Sequence, residues 1–168
     1  MIKAAIFDFG GVIVRTVDHS PRHAWDKRLG LPQNSVERAV HQSELWVQVQ
    51  LGRMDEAEYW NGVAELLYTT PDVIPELRRD YFSQDKVHEP TVNLIRELRE
   101  KGYPVALLSN DSASLEQKLH DLDLYELFDH VVISAKIGVM KPDSTAYRIA
   151  LQGLGTKPQE TVFVDDMP

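Results

Sequence analysis

Polar and charged side chains follow the apolar, strand-like segments of this sequence at several places. They are Asp8 after AAIF, Ser109 and Asn110 at the end of YPVALLSN, Lys141 in GVMKPD, and Asp165 and Asp166 after TVFV. Ligands of open parallel sheets bind at the carboxyl ends of the strands. If these segments are parallel strands, the side chains lie at one edge of the sheet and can form a single site.

Together these residue types supply the parts of a phosphoryl-transfer site. Asp165 and Asp166 are adjacent carboxylates, which repel each other unless one faces solvent or a cation lies between them. A Mg²⁺ held by Asp8 and this pair would cancel the repulsion between an attacking carboxylate and an anionic phosphate. Asp8 would then act as the nucleophile and form an aspartyl-phosphate that water hydrolyses. Ser109, nearby backbone N–H groups and Lys141 would hold the phosphoryl oxygens.

Each of these residues also has a simpler explanation when it is taken alone. Asp8 before two glycines suits a turn cap, Ser109 suits the start of a strand-to-helix loop, and Lys141 before proline suits a surface turn. The pair Asp165 and Asp166 fits a metal site and a solvent-facing site equally well. It is their combination, in this order along the chain, that favours phosphoryl transfer.

The segments that must position these residues follow an α/β pattern. Residues 2–7 form a continuous apolar run typical of a strand buried on both faces, and from Glu89 onwards helical and strand patterns alternate. This predicts a Rossmann-like parallel sheet covered by helices. Between the first strand and Glu89 lie about four helical segments, which is enough for a small helical bundle. We therefore predict a discontinuous core, residues 1–15 and 89–168, with an inserted helical bundle, residues 16–88.

Composition restricts the classes of partner. The chain has 168 residues, a net charge of −8 and no cysteine. The acidic balance argues against nucleic acid or an acidic membrane surface as the partner, whereas a bound cation would still allow a phosphorylated small molecule. The lack of cysteine excludes disulfides and thiolate metal sites. No apolar run approaches the roughly 20 residues that a membrane-spanning helix needs. We predict a cytoplasmic protein; its oligomeric state stays open.

The motifs IFDFGGVI, VALLSN, GVMKPD and VFVDD, in this order, resemble those of the haloacid dehalogenase (HAD) superfamily, most of whose members are phosphatases. The helical insertion is similar to the α-helical cap of the subgroup that includes the phosphatase-like domain of soluble epoxide hydrolases. The resemblance implies that Asp8 is the nucleophile and a Mg²⁺ ligand, and that Asp165, Asp166 and the Gly10 carbonyl are further metal ligands. It also implies that Ser109 and Lys141 are phosphate-binding catalytic residues. Asn110, beside Ser109, is also predicted to bind phosphate.

Two features depart from the family pattern. Hydrolytic members usually carry a second aspartate two residues after the nucleophile, as general acid and base, whereas this chain has Gly10. Such a group is typically worth about 10²–10⁴-fold in rate, so we expect a slower enzyme or one that favours good leaving groups. Asp18 or His19 is a hypothetical substitute. The sequence also stops at Pro168, where the family continues with a helix and usually a strand, which predicts weak activity or none.

The predicted turn QVQLGRMDEAEYW of the insertion is the segment expected to reach the site. Gln50 and Arg53 are predicted to contact substrate, and Trp46 or Trp60 to stack on a sugar or ring. The alternative is that both tryptophans fill the core of the bundle and that Arg53 is solvated.

The leading hypothesis is a Mg²⁺-dependent phosphatase that hydrolyses a small phosphorylated metabolite through an aspartyl-phosphate. A non-catalytic phosphate- or partner-binding module of the same fold is the first alternative, supported by Gly10 and the early end of the sequence. Hydrolytic dehalogenation, in which Asp8 attacks carbon, is the second. Its chemistry needs no metal, so the pair Asp165 and Asp166 counts against it.

Overall fold

The computed structural model describes residues 1–166, whose contacts divide the chain into two compact units. The first unit comprises Met1–Arg15, Gln50–Gly52 and the chain from Val87 onwards; the second comprises Thr16–Val49 and Arg53–Lys86. The second unit begins where the predicted insertion begins and ends two residues before its predicted end. Gln50–Gly52, predicted within the insertion, groups with the first unit. Residues 167 and 168 of the predicted core lie outside the described residues.

The secondary structure alternates between strands and helices in the first unit and is mainly helical in the second. The strands are β1 (Ala4–Phe7), β2 (Val14–Thr16), β3 (Asp85–Val87), β4 (Val105–Ser109), β5 (His130–Ile133) and β6 (Thr161–Val164). The helices are α1 (Ser20–Arg28), α2 (Ser35–His41), α3 (Glu44–Gln50), α4 (Glu56–Leu66), α5 (Ile74–Tyr81), α6 (Glu89–Glu100), α7 (Leu115–Asp121), α8 (Ser134–Ile137) and α9 (Ser144–Leu154). Short 3₁₀ helices cover Pro71–Val73, Tyr125–Leu127 and Pro158–Glu160.

Four strands of the first unit form a parallel sheet in the order β5-β4-β1-β6, which confirms the predicted α/β class. Successive side chains of a strand point to opposite faces, and the two faces bury different clusters. Phe7 and Leu107 lie in the cluster that contains residues of α6 and α7, whereas Ile6 and Leu108 pack with Ala146 of α9. Both central strands are therefore buried on both faces, as their uninterrupted apolar sequences predict.

The register of the sheet places the strand ends together. Phe7, the last residue of β1, pairs with Leu107 of β4 on one side and with Val164, the last residue of β6, on the other. The Asp8 N–H continues the ladder by donating to the carbonyl of Val164, 2.9 Å away. The residues that follow β1, β4 and β6 thus leave the sheet at one edge.

The second unit contains α1–α5, apart from Gln50 at the end of α3, around its own apolar cluster, in which Trp60 is buried and Trp46 is partly buried. Trp60 therefore fills the core of the helical bundle, as the alternative for the two tryptophans predicts, whereas Trp46 does so only in part. A buried guanidinium, Arg22, pairs with Glu37 at 2.8 Å and with Asp85 at 3.2 Å. Burial raises the pKa of Glu37, but its hydrogen bonds to His41 and Arg22 outweigh this and lower it to about 2.

None of the helices within residues 1–166 has the length and apolar character that crossing a membrane requires.

Candidate functional site

Four of the predicted site residues lie together beyond the ends of neighbouring strands in the first unit. Asp8 follows β1, and Asp165 and Asp166 follow β6, the strand beside it. The ammonium of Lys141 lies 3.0 Å from Oδ2 of Asp8 and 2.7 Å from Oδ2 of Asp165. The structure therefore joins motifs that are more than 150 residues apart in sequence.

The three aspartates can direct oxygen atoms at one point. One carboxylate oxygen from each of Asp8, Asp165 and Asp166 lies within 4.8 Å of the other two. Hard divalent cations such as Mg²⁺ are bound by carboxylate oxygens of this kind, often only one or two from the protein. The side chain of Asp8 is 13% exposed and that of Asp165 14%, so solvent screens their mutual repulsion only in part. The donor set therefore fits a divalent cation.

Gly11 is the residue over which the carboxylate of Asp166 lies. Its φ is +71°, and a Cβ built on it would stand 2.1 Å from Oδ2 of Asp166. Both the backbone conformation and the space require glycine at this position. The sequence carries no local signal for this contact, because the two residues belong to motifs at opposite ends of the chain.

Gly10, in contrast, is not required by its surroundings. A Cβ at this position would meet no atom within 4 Å, and the residue is exposed. It is also not among the glycines with positive φ. The Cβ of an aspartate at this position, as the HAD pattern would have, would therefore meet open space, and the backbone does not adopt the left-handed conformation that favours glycine.

Asp8 is held at both of its oxygens. Oδ1 accepts a hydrogen bond from the Phe9 N–H at 2.7 Å, and Oδ2 pairs with the ammonium of Lys141. Burial raises the pKa of Asp8 above its ordinary value, while Lys141 and the Phe9 N–H offset part of that rise. A further cation beside Asp8 would lower its pKa and so favour the carboxylate form that a nucleophile requires.

Ser109 and Asn110 lie at the end of β4. Ser109 is buried and pairs in register with Ile133 of β5. The Asn110 side chain forms two hydrogen bonds with the main chain of Lys141: Oδ1 accepts from its N–H at 2.7 Å, and Nδ2 donates to its carbonyl at 2.9 Å. No local pattern in the sequence indicates this contact, because the two residues are 31 positions apart.

The remaining predicted residues lie elsewhere. Gln50, which groups with the first unit, donates from Nε2 to the Asn110 carbonyl at 2.9 Å. Arg53 is an exposed residue of the second unit, and its contact with substrate stays a prediction. Asp18 accepts a hydrogen bond from the Ser20 N–H at 2.8 Å, and hydrogen bonds with Ser20 lower its pKa. A carboxyl group with a lowered pKa is more completely ionised at neutral pH and so carries a proton to donate less often, which disfavours Asp18 as the substitute acid.

A family model described as a haloacid dehalogenase-like hydrolase matches residues 2–168. The chain belongs to this family. The predicted family membership is confirmed.

Two relatives align with nearly the whole of this HAD-like hydrolase. Sesquiterpene phosphatase astK of Aspergillus oryzae is 28% identical over 165 residues, which are 98% of this chain and 80% of that protein. Bifunctional epoxide hydrolase 2 of the pig, Sus scrofa, is 31% identical over 184 residues, which are 99% of this chain but 33% of that protein. The chain therefore spans about a third of the pig protein's length. The match agrees with the predicted resemblance to the epoxide hydrolase subgroup.

A solved structure shares the fold of this HAD-like hydrolase. An HAD family enzyme from Bacteroides thetaiotaomicron, crystallised with magnesium and inorganic phosphate, superimposes with a TM-score of 0.74 at 23% identity. The match covers 99% of this chain and 85% of that one.

Proposed function

We propose that this chain is a Mg²⁺-dependent phosphatase that hydrolyses a small phosphorylated metabolite through an aspartyl-phosphate on Asp8. The observation that carries the proposal is the meeting of Asp8, Asp165 and Asp166 within 4.8 Å of one another, with the Lys141 ammonium in contact with two of them. Membership of a hydrolase family and the similarity to a sesquiterpene phosphatase support the proposal, as does the magnesium–phosphate complex of the Bacteroides enzyme.

The residues proposed to hold Mg²⁺ are the carboxylates of Asp8, Asp165 and Asp166 and the carbonyl of Gly10. When bound, the ion supplies positive charge that offsets the repulsion between the Asp8 carboxylate and an anionic phosphate. Lys141 contributes in the same direction from the protein's own side chains. Its side chain is 10% exposed, so the charge acts in a medium that screens it less than water does.

In the proposed reaction an Asp8 oxygen forms a bond to phosphorus as the bond between phosphorus and the leaving oxygen breaks. Lys141, Ser109 and backbone N–H groups beyond β4 would hold the phosphoryl oxygens during this transfer. Water then attacks the phosphorus of the aspartyl-phosphate, which releases inorganic phosphate and returns Asp8 as a carboxylate. The Phe9 N–H and Lys141 fix the orientation of Asp8 before the attack.

The leaving oxygen has to take its proton from solvent or from a group other than residue 10. Gly10 carries no ionisable side chain, and Asp18 has a lowered pKa. Substrates whose leaving groups depart without protonation are therefore proposed to react faster than alkyl phosphates.

The proposal also includes a cytoplasmic location and a partner that is neither nucleic acid nor membrane. Both parts rest on the charge and composition of the chain.

Two alternatives are distinguishable from this function. A binding module would keep affinity for phosphate without turnover, as the lack of an acid at Gly10 allows. A dehalogenase would use Asp8 against carbon, but the three-carboxylate cluster has no part in that chemistry. We favour phosphoryl transfer over both, because in that reaction the three carboxylates and the ammonium of Lys141 each have a role.

The deciding experiment is hydrolysis of p-nitrophenyl phosphate and a panel of phosphorylated sugars, with and without Mg²⁺. We expect Mg²⁺-dependent release of phosphate that Asp8→Asn abolishes and that the surface variant Asp121→Asn, in the same unit, leaves intact. Phosphate binding without turnover in the parent would establish the binding module instead. Release of halide from a 2-haloacid without added metal would establish the dehalogenase.

A further inference from the structure

The amide of Asn110 brackets the main chain of Lys141. Its oxygen accepts from the Lys141 N–H at 2.7 Å and its nitrogen donates to the Lys141 carbonyl at 2.9 Å. Lys141 lies in the loop between α8 and α9, outside any helix or strand. The side chain of Asn110 thus satisfies the main-chain groups that regular secondary structure would otherwise pair.

The position of the Lys141 main chain limits the positions that its ammonium can reach. The flexible four-carbon stem of a lysine does not by itself select one of these positions. In the structure this ammonium contacts Asp8 at 3.0 Å and Asp165 at 2.7 Å, and it lies 5.1 Å from the centre of the Phe163 ring. A shift of the loop would therefore change the contacts of the ammonium with both carboxylates.

Asn110 is itself held firmly enough to serve as a reference point. It directly follows Ser109, whose place in β4 is fixed by pairing with Ile133. Its carbonyl accepts a hydrogen bond from Nε2 of Gln50 at 2.9 Å. Gly52, in the same short segment as Gln50, lies so close to Ala135 that a Cβ would stand 2.2 Å from the Ala135 carbonyl oxygen.

We propose that Asn110 is a positioning residue that acts through Lys141, in place of the phosphate contact predicted for its side chain. The proposal deepens the proposed function and rests on it, since Lys141 matters for turnover only if it meets the phosphoryl group. Gln50 has a supporting part: it fixes the main chain of Asn110. Its predicted contact with substrate is not needed for this part.

A double-mutant cycle on p-nitrophenyl phosphate hydrolysis separates positioning from direct contact. Misplacement of a catalytic group by about 1 Å costs up to roughly 10²-fold, so we expect Asn110→Ala to lower kcat/KM by about 10- to 100-fold. In the Lys141→Ala background the same substitution is expected to change kcat/KM by less than about 3-fold, because the residue it positions is gone. An equal loss in both backgrounds would show that Asn110 acts on the substrate directly and would overturn the proposal. Asn93→Ala, an exposed asparagine of α6, is the matched control and should leave kcat/KM unchanged.

A second readout does not depend on turnover. In ¹H–¹³C NMR spectra of protein with labelled lysine, the Cε–Hε signal of Lys141 is assigned by its loss in Lys141→Arg. We expect Asn110→Ala to shift this signal and Asn93→Ala to leave it in place. An unchanged Lys141 signal in Asn110→Ala contradicts the proposal, whatever the phosphatase assay shows. A shifted signal in a protein without phosphatase activity refutes the proposed function but keeps the positioning of Lys141.

Folding of the variants is checked by near-UV circular dichroism. If Asn110→Ala does not fold, Asn110→Asp takes its place in both experiments. The aspartate keeps the acceptor for the Lys141 N–H and removes the donor to its carbonyl, so the shift of the Lys141 signal is expected to persist.

Discussion

The substitution Gly10→Asp tests whether the missing acid limits the proposed reaction. The structure has room for it: a Cβ at Gly10 meets no atom within 4 Å, and Gly10 is not among the residues with positive φ. The residue is also exposed, so an added carboxylate stays hydrated. With Mg²⁺ present to offset the repulsion between the new carboxylate and the three aspartates, we therefore expect the free energy of unfolding to change by no more than about 1 kcal/mol.

The expected effect on rate depends on the leaving group. A correctly placed general acid contributes about 10²–10⁴-fold, so kcat for an alkyl phosphate should rise by that factor in Gly10→Asp. The nitrophenolate of p-nitrophenyl phosphate departs without much help from a proton, so its rate should rise far less. Gly10→Asn is the matched control, because its side chain has the same size and cannot donate a carboxyl proton.

The assay measures kcat for both substrates at saturating Mg²⁺, so that a change in metal affinity does not enter. If Gly10→Asn accelerates the alkyl phosphate as much as Gly10→Asp does, proton donation is not the cause. The reasoning also fails if Gly10→Asp changes the rates of the two substrates by the same factor. In either case the lack of an aspartate at this position would not explain the preference for good leaving groups.

Three further predictions concern metal binding and stability. Gly11→Ala should displace the Asp166 carboxylate by about 1 Å and so weaken the stabilisation that Mg²⁺ gives in urea unfolding. The control Gly155→Ala, at φ +65° with open space around its Cβ, should only destabilise the fold, by about 1–2 kcal/mol. Equal stabilisation of both variants by Mg²⁺ would contradict this prediction. The pKa of Glu37 falls from 4.5 to about 2 on folding, so its contribution to stability is complete above about pH 4.5 and is lost as the pH falls towards 2. Glu37→Gln should therefore flatten the dependence of the unfolding free energy on pH between about pH 4.5 and 2. The exposed control Glu56→Gln should not. Tyr68 is 90% exposed with a φ of +53°, so Tyr68→Gly should raise the unfolding free energy by about 1 kcal/mol and Tyr68→Ala should give no such gain in thermal unfolding.

The parts of the fold that were predictable from sequence are those that local patterns determine. The apolar runs ending at Phe7 and Ser109 are buried on both faces, and the rule that parallel strands end at one edge brought Asp8 and Asp165 together. The rule gives the shared edge without the order of the strands. The contact between the two strand ends also depends on β6 lying beside β1, which the sequence does not reveal.

The contacts that were not predictable join residues without any local relation. Asn110 reaches Lys141 across 31 residues, and the space above Gly11 is taken by Asp166 from the far end of the described chain. Such contacts depend on how the loops at the sheet edge pack, which periodicity does not encode. The same holds for Gln50, whose place in the first unit follows from tertiary contacts and not from the helical pattern around it.

The two neighbouring glycines bear on the choice between an enzyme and a binding module. Gly11 is required because Asp166 lies over it, and that carboxylate joins two others in a cluster that repels itself unless a cation is present. A module that only bound phosphate would gain nothing from three carboxylates beside an anion, since they oppose its binding. Gly10 carries no such requirement, so the lack of an acid there removes one contribution to catalysis without dismantling the rest of the site. The cluster that Gly11 makes possible is therefore stronger evidence for metal-assisted phosphoryl transfer than Gly10 is against it.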